Sequence, residues 1–118
     1  MSFALNVAFN RSDDKWIIRL DGKLDALTSP LLEKKFHEQL PQKGKVLVAL
    51  DFTRVDYLSS AGMRLLLAFV KRIRAEGGKV VFFGFLDEVL EIIRLAGFEG
   101  LLPIFPTEPQ ALTALSSA

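Results

Sequence analysis

The sequence predicts a single α/β domain over residues 1–118, built on a mixed, mostly parallel five-stranded sheet with four helices in the order ββαβαβαβα. Three observations carry this expectation. After an opening pair of strands, strand-like and helix-like stretches alternate, which is the pattern of a largely parallel sheet. Two nearly unbroken apolar runs, VLVALDF (46–52) and KVVFFGF (79–85), suit strands buried on both faces. The chain has 118 residues, half of them apolar and a quarter charged, which is the size of one domain with enough apolar surface for a core.

Each element has its own signal. In FALNVAF, Phe3, Leu5, Val7 and Phe9 alternate with small or polar residues, as in a strand with one buried face. NRSDD reads as a turn. KWIIRLDG then places Trp16, Ile18 and Leu20 on one side and completes a hairpin. LTSPLLEKKFHEQL reads as a helix capped by Ser29, with Pro30 at the first helical position, where no N–H is needed. Leu31, Leu32, Phe36 and Leu40 form its apolar side. LDFTRVDYLSSAG reads as the end of a central strand, a loop and a helix start. Met63, Leu66, Leu67, Val70 and Ile73 give that helix one apolar face, and Gly77 and Gly78 end it. DEVLEIIRLAG reads as a helix capped by Asp87, with acids in its first turn where the helix dipole favours them, and Gly97 stops it. LLPIF is a short strand whose proline places it at an edge. The last helix begins at Thr107 and Gln110, which have capping-box spacing, and turns Leu112 and Leu115 inward.

Composition removes several function classes. Fifteen basic residues balance fourteen acidic ones, unlike the basic excess of a nucleic-acid binder. With no cysteine there is no disulfide framework, thiol nucleophile or Cys-type zinc site. The N-terminal stretch lacks the basic-then-apolar form of a signal peptide, and no apolar run is long enough to span a bilayer. These features predict a cytoplasmic protein. No G-x-S-x-G elbow and no phosphate-binding glycine loop is present, and the single histidine, His37, falls on the polar side of its helix. No catalytic residue, metal ligand or cofactor site is therefore assigned.

SSAG at 59–62 is the one stretch that asks for a functional reading. Function in open α/β sheets gathers at the carboxyl ends of strands. Ser59 can cap the following helix by accepting from the N–H of Ala61 or Gly62, which leaves Ser60 at the first helical position, pointing outward. Gly62 costs helix stability, so its use is close approach by a neighbour or a partner. A pair of serines at a helix start is most often a cap and nothing more. An exposed serine there is also a site where a phosphate would be well tolerated, since it meets a positive helix end.

These residues carry a resemblance. IIRLDGKLDALTSPLLEKKF, VLVALDFTRVDYLSSAGMRLLLAF, GGKVVFFGFLDEVLEIIRLAGF and PIFPTEPQAL together resemble the STAS domain of bacterial anti-sigma factor antagonists over nearly the whole chain. The resemblance implies partner switching: the unphosphorylated antagonist binds an anti-sigma factor that is also a serine kinase, and the sigma factor is released. ATP-dependent phosphorylation of the helix-start serine ends the complex, and a serine phosphatase resets it. On the motif, the phosphoacceptor is Ser60, with Ser59 the alternative. Asp25, Thr28, Ser59, Ala61, Gly62, Met63 and Arg64 are the expected partner-binding residues. The chain departs from the family pattern where Ser59 replaces a common aspartate, Ala61 a common serine or threonine, and Gly62-Met63-Arg64 a common Gly-Leu-Gly. The lost aspartate would alter kinase recognition or admit modification at Ser59. STAS domains that serve as accessory subunits of transport or signalling complexes, without phosphorylation control, are the competing expectation.

Overall fold

A computed structural model describes residues 5–116. Among them the chain forms β1 (Leu5–Ser12), β2 (Lys15–Leu24), α1 (Ser29–Gln39), β3 (Leu47–Leu58), α2 (Ser60–Ala75), β4 (Lys79–Phe83), α3 (Asp87–Leu95), a 3₁₀ turn (Glu99–Leu101), β5 (Ile104–Phe105) and α4 (Glu108–Ser116). The order is the expected ββαβαβαβα. The sheet order is β1-β2-β3-β4-β5, with β1 antiparallel to β2 and every later neighbour parallel. Each crossover steps one strand further in the same direction. Right-handed crossovers taken in one direction place their helices on one face. Accordingly Val48, Leu50, Phe52, Val80 and Phe82 pack in one cluster with Leu32 and Phe36 of α1, Leu66 and Val70 of α2, and Val89 and Ile93 of α3. On the opposite face Leu47, Ala49, Val81 and Phe83 meet Ala111 and Leu115 of α4. A polar tie joins this second layer to the sheet. Arg19 donates to Asp51 at 2.8 Å and to both carboxylate oxygens of Glu108 at 2.9 and 3.3 Å, while Asp51 also accepts from the Thr53 N–H and hydroxyl.

Several local expectations change. The strand β1 continues through Asn10, Arg11 and Ser12, so the turn is only Asp13-Asp14, with Asp13 in the left-handed region at φ 56°. Phe3 lies outside the described residues. Residues 53–58 are not a loop but the second half of β3. The β2–β3 register slips between Arg19 and Asp21 and again between Gly22 and Lys23. Each slip leaves an extra residue in β3, as in a bulge. The two bulges bring Phe52, Val55 and Leu58, each three apart, to the same buried side, while Asp56 and Tyr57 face out.

Helix starts also differ. The N-cap position of α1 is Thr28, whose side chain makes no cap bond, and Ser29 instead donates its hydroxyl proton to the Asp25 carbonyl at 2.7 Å. Leu31 is half exposed rather than part of the core. The cap position of α3 is Leu86, with Asp87 in the first turn. The capping pair of α4 is present, since Gln110 N–H donates to the Thr107 hydroxyl at 3.4 Å, and Leu115 is buried while Leu112 is only partly so. At the end of α2, Gly77 takes φ 84°, its N–H donates to Arg74 O and that of Gly78 to Ile73 O, a Schellman closure that a left-handed residue makes possible.

Candidate functional site at the start of α2

The long strand β3 delivers the chain directly into α2, at the carboxyl end of the parallel strands. Lys23 and Leu24 lie beside Tyr57 and Leu58 in the ladder. The Ser59 N–H continues that pairing by donating to Leu24 O at 2.9 Å. Its backbone is extended at φ −92°, ψ 172°, and its hydroxyl accepts from the Gly62 N–H at 3.1 Å. Ser59 is therefore the cap, as the sequence predicts. Ser60 is the first helical residue, and it is exposed.

Gly62 explains why this end of the helix can sit so close to the strand. A Cβ there would lie 2.9 Å from the Leu24 carbonyl oxygen, and at the same distance from the Leu24 and Leu58 side chains. Atoms at that separation overlap, so only glycine fits. The glycine is buried, and serves approach by a neighbouring segment rather than by a partner.

The segment it approaches is a tight turn held by Asp25. The Asp25 carboxylate accepts from Leu27 N–H at 2.9 Å and Thr28 N–H at 3.0 Å, an Asx-type turn. Those bonds, that of Thr28 foremost, hold its pKa below the ordinary carboxylate value. The Thr28 hydroxyl accepts from Asp25 N–H at 2.9 Å and donates to Lys23 O at 2.8 Å. The turn is thus preset, and it displays Leu27, which is 83 % exposed.

The expected partner-binding residues divide into two groups. Asp25, Ser59 and Ala61 are partly exposed and Arg64 is exposed, all around Ser60. Thr28, Gly62 and Met63 are buried; Thr28 is 2 % exposed and Met63 5 %. They shape the surface from beneath, in contrast to the exposed positions expected of residues that touch a partner. Three apolar residues that sequence reasoning left out stand on the surface instead: Leu27, Leu31 and Tyr57. For Leu27 the signal was available, since a leucine two positions after a turn-forming aspartate is held out of the core by that turn. Beside them a shallow groove of about 310 Å³ runs between Ala26, Pro30 and Glu33 on one wall and Ala61, Arg64 and Ala68 on the other.

His37 is exposed on α1. Among the described residues no group of three His, Asp or Glu side chains could hold a metal ion, and no helix is long and apolar enough to cross a membrane.

The profile of the STAS domain family matches residues 6–111. The chain belongs to the STAS family. A protein of Bordetella bronchiseptica named as an anti-sigma factor antagonist, BtrV, is 29 % identical over 114 residues, covering 97 % of each chain. Among solved structures, this STAS domain superposes on an anti-sigma factor antagonist from Mycobacterium paratuberculosis with a TM-score of 0.81, at 23 % identity over 95 % of this chain and 94 % of that one. It superposes on the anti-sigma factor antagonist SpoIIAA in its unphosphorylated form with a TM-score of 0.73, at 17 % identity over 96 % and 98 %. At such identities the two structures establish a shared fold.

Proposed function

We propose that this STAS domain is an anti-sigma factor antagonist, a regulator rather than an enzyme. In this reading the unphosphorylated form binds an anti-sigma factor that is also a serine kinase, frees the sigma factor, and is switched off at Ser60. The observation that carries it is the division of labour between the two serines. Ser59 is occupied as the helix cap, while Ser60, one residue on, is exposed and makes no cap bond. The names of its relatives supply the partner class. The motif supplies the acceptor.

The chemistry is a phosphoryl transfer. The Ser60 Oγ attacks the γ-phosphorus of ATP held by the kinase, the bond from that phosphorus to the β–γ bridging oxygen breaks, ADP leaves, and the hydroxyl proton passes to a base on the kinase. No carboxylate of this chain hydrogen-bonds the Ser60 hydroxyl among the described residues, and in this reading the base is the kinase's. Release follows from desolvation. A serine hydroxyl can be buried at an interface with one hydrogen bond, whereas an unpaired phosphate carries about −1.5 to −2 charges and costs several kcal/mol to bury. A loss of about 1.4 kcal/mol already weakens binding tenfold. A serine phosphatase reverses the state.

The experiment is labelling with a candidate anti-sigma kinase and ATP, phosphosite mapping, and a binding titration of two variants. Ser60→Ala is expected to abolish labelling and bind constitutively. Ser60→Asp is expected to keep the parent's circular dichroism and bind at least about tenfold more weakly. Labelling that persists in Ser60→Ala but not in Ser59→Ala moves the acceptor to Ser59. Parent-like binding by Ser60→Asp removes the switch.

A further inference from the structure

Helix α2 carries four cations, Arg64, Lys71, Arg72 and Arg74, and no acid. None of the four meets a carboxylate among the described residues. Elsewhere, Arg19, Lys23, Arg54 and Arg94 each do, at 2.8, 3.1, 3.8 and 2.9 Å. The unpaired charges are not scattered. Ser60, Arg64, Ala68 and Lys71 recur at intervals of four, four and three, so they form one exposed stripe along the helix. Two shallow grooves between α1 and α2 share Glu33, Leu65 and Ala68 and form one continuous channel beside the stripe. Its floor is apolar, with the stacked rings of Phe36 and Phe69 (centroids 4.0 Å apart) at the far end. Arg64 stands on its wall near Ser60, and Arg72, resting on the Phe69 ring at 5.7 Å, stands on the wall at the other end. Glu33 is the one carboxylate lining the channel, and it pairs with neither arginine.

We propose that the α1–α2 channel and the cation stripe beside it are the seat of an acidic amphipathic helix of the antagonist's partner, with Ser60 at one end of the seat. The inference rests on the antagonist reading and adds the chemistry of the partner. Arg64 and Lys71 are seven residues apart, about 10.5 Å along the axis. Carboxylates at positions i and i+7 of a facing helix match that spacing, and the small Ala68 between the cations, with Ala61 just before Arg64, lets its backbone come close. The occupant is acidic because uncompensated cations on a near-neutral protein select their opposite. Phosphorylation then acts twice. A phosphate on Ser60 repels the nearest carboxylate of the helix. It also lies one turn before Arg64, at the i,i+4 distance that pairs charges on a helix, and takes up the first cation of the stripe.

The test has two arms. A synthetic helix-forming peptide with glutamates at i and i+7 and leucines between is titrated into the ¹⁵N-labelled protein. Shifts are expected at Leu65, Ala68 and Arg72, with affinity falling as salt rises. They should be lost in Arg64→Glu/Lys71→Glu and kept in Arg74→Glu, whose charge lies off the channel. In the second arm the kinase that labels Ser60 is titrated with the same variants. The double reversal is expected to weaken binding by about tenfold or more while Arg74→Glu binds like the parent. Peptide shifts elsewhere, equal binding of a lysine-substituted peptide, or a double reversal that binds the kinase normally would overturn the proposal. So would association with phosphatidylglycerol vesicles without any peptide shift at the channel. If no kinase labels Ser60, the antagonist reading fails and the peptide arm still decides the chemistry of the channel.

Discussion

Two neighbouring serines do different work, and their substitutions separate the roles. Ser59→Ala removes the acceptor of the Gly62 N–H and is expected to lower stability by about 1 kcal/mol, read as a fall in the urea midpoint at unchanged slope. Ser60→Ala touches no such bond, so its stability should stay within about 0.5 kcal/mol of the parent. Gly62→Ala tests the close approach. Alanine is the better helix former by about 1 kcal/mol, but its methyl would meet the Leu24 carbonyl oxygen at 2.9 Å, and backbone cannot swing aside. The overlap wins, and the same titration should show a net loss of about 1–3 kcal/mol. The cap and the outward serine were both legible in SSAG, because cap chemistry is local. The inward side of Met63 was legible too, in the apolar face it shares with Leu66 and Val70, but that Thr28 turns inward was not, since the direction of a cap-position side chain depends on the turn and sheet it leans against.

The elements around the site are set by short-range devices of different legibility. The Asp25 turn is written in its residue types, and it has a titration signature. Its folded-state pKa is depressed, so the stability its carboxylate contributes is complete above the unfolded value of 3.8 and is lost as pH falls through the lower folded value. Asp25→Asn is expected to be less stable than the parent near neutral pH, and the gap should narrow as pH drops below about 4, followed by thermal melts across pH. A gap that stays constant to acid pH would mean that the charge is irrelevant to the turn. The second half of β3 was illegible for a physical reason. Phe52, Val55 and Leu58 recur every three residues, which fits neither the period of a strand nor the length of a helix. Bulges reset the period in mid-strand, and nothing in the residue types of TRVDYL marks where.

At the scale of the whole fold, three helices of the described residues cover one face of the sheet and, among those residues, α4 alone covers part of the other. The Arg19–Asp51–Glu108 tie joins that last helix to β2 and β3, and Asp51 within it is 7 % exposed. Arg19→Ala strips the partner from a mostly buried carboxylate that keeps its bonds to Thr53. A loss of about 1–3 kcal/mol is expected, with amide exchange rising first in α4. Alternation was enough for the element order and the mostly parallel sheet, but this tie spans 89 positions in sequence, and no local pattern announces it. The order β1-β2-β3-β4-β5 has a further consequence. No strand has to be inserted between two that come earlier in the chain. As the polypeptide leaves the ribosome, the opening hairpin can form first, and each later strand finds its docking edge already made. The sheet can be laid down from one side to the other in the direction of synthesis. The surface around Ser60, built where β2 and β3 meet α2, can then be complete before the last third of the chain has emerged.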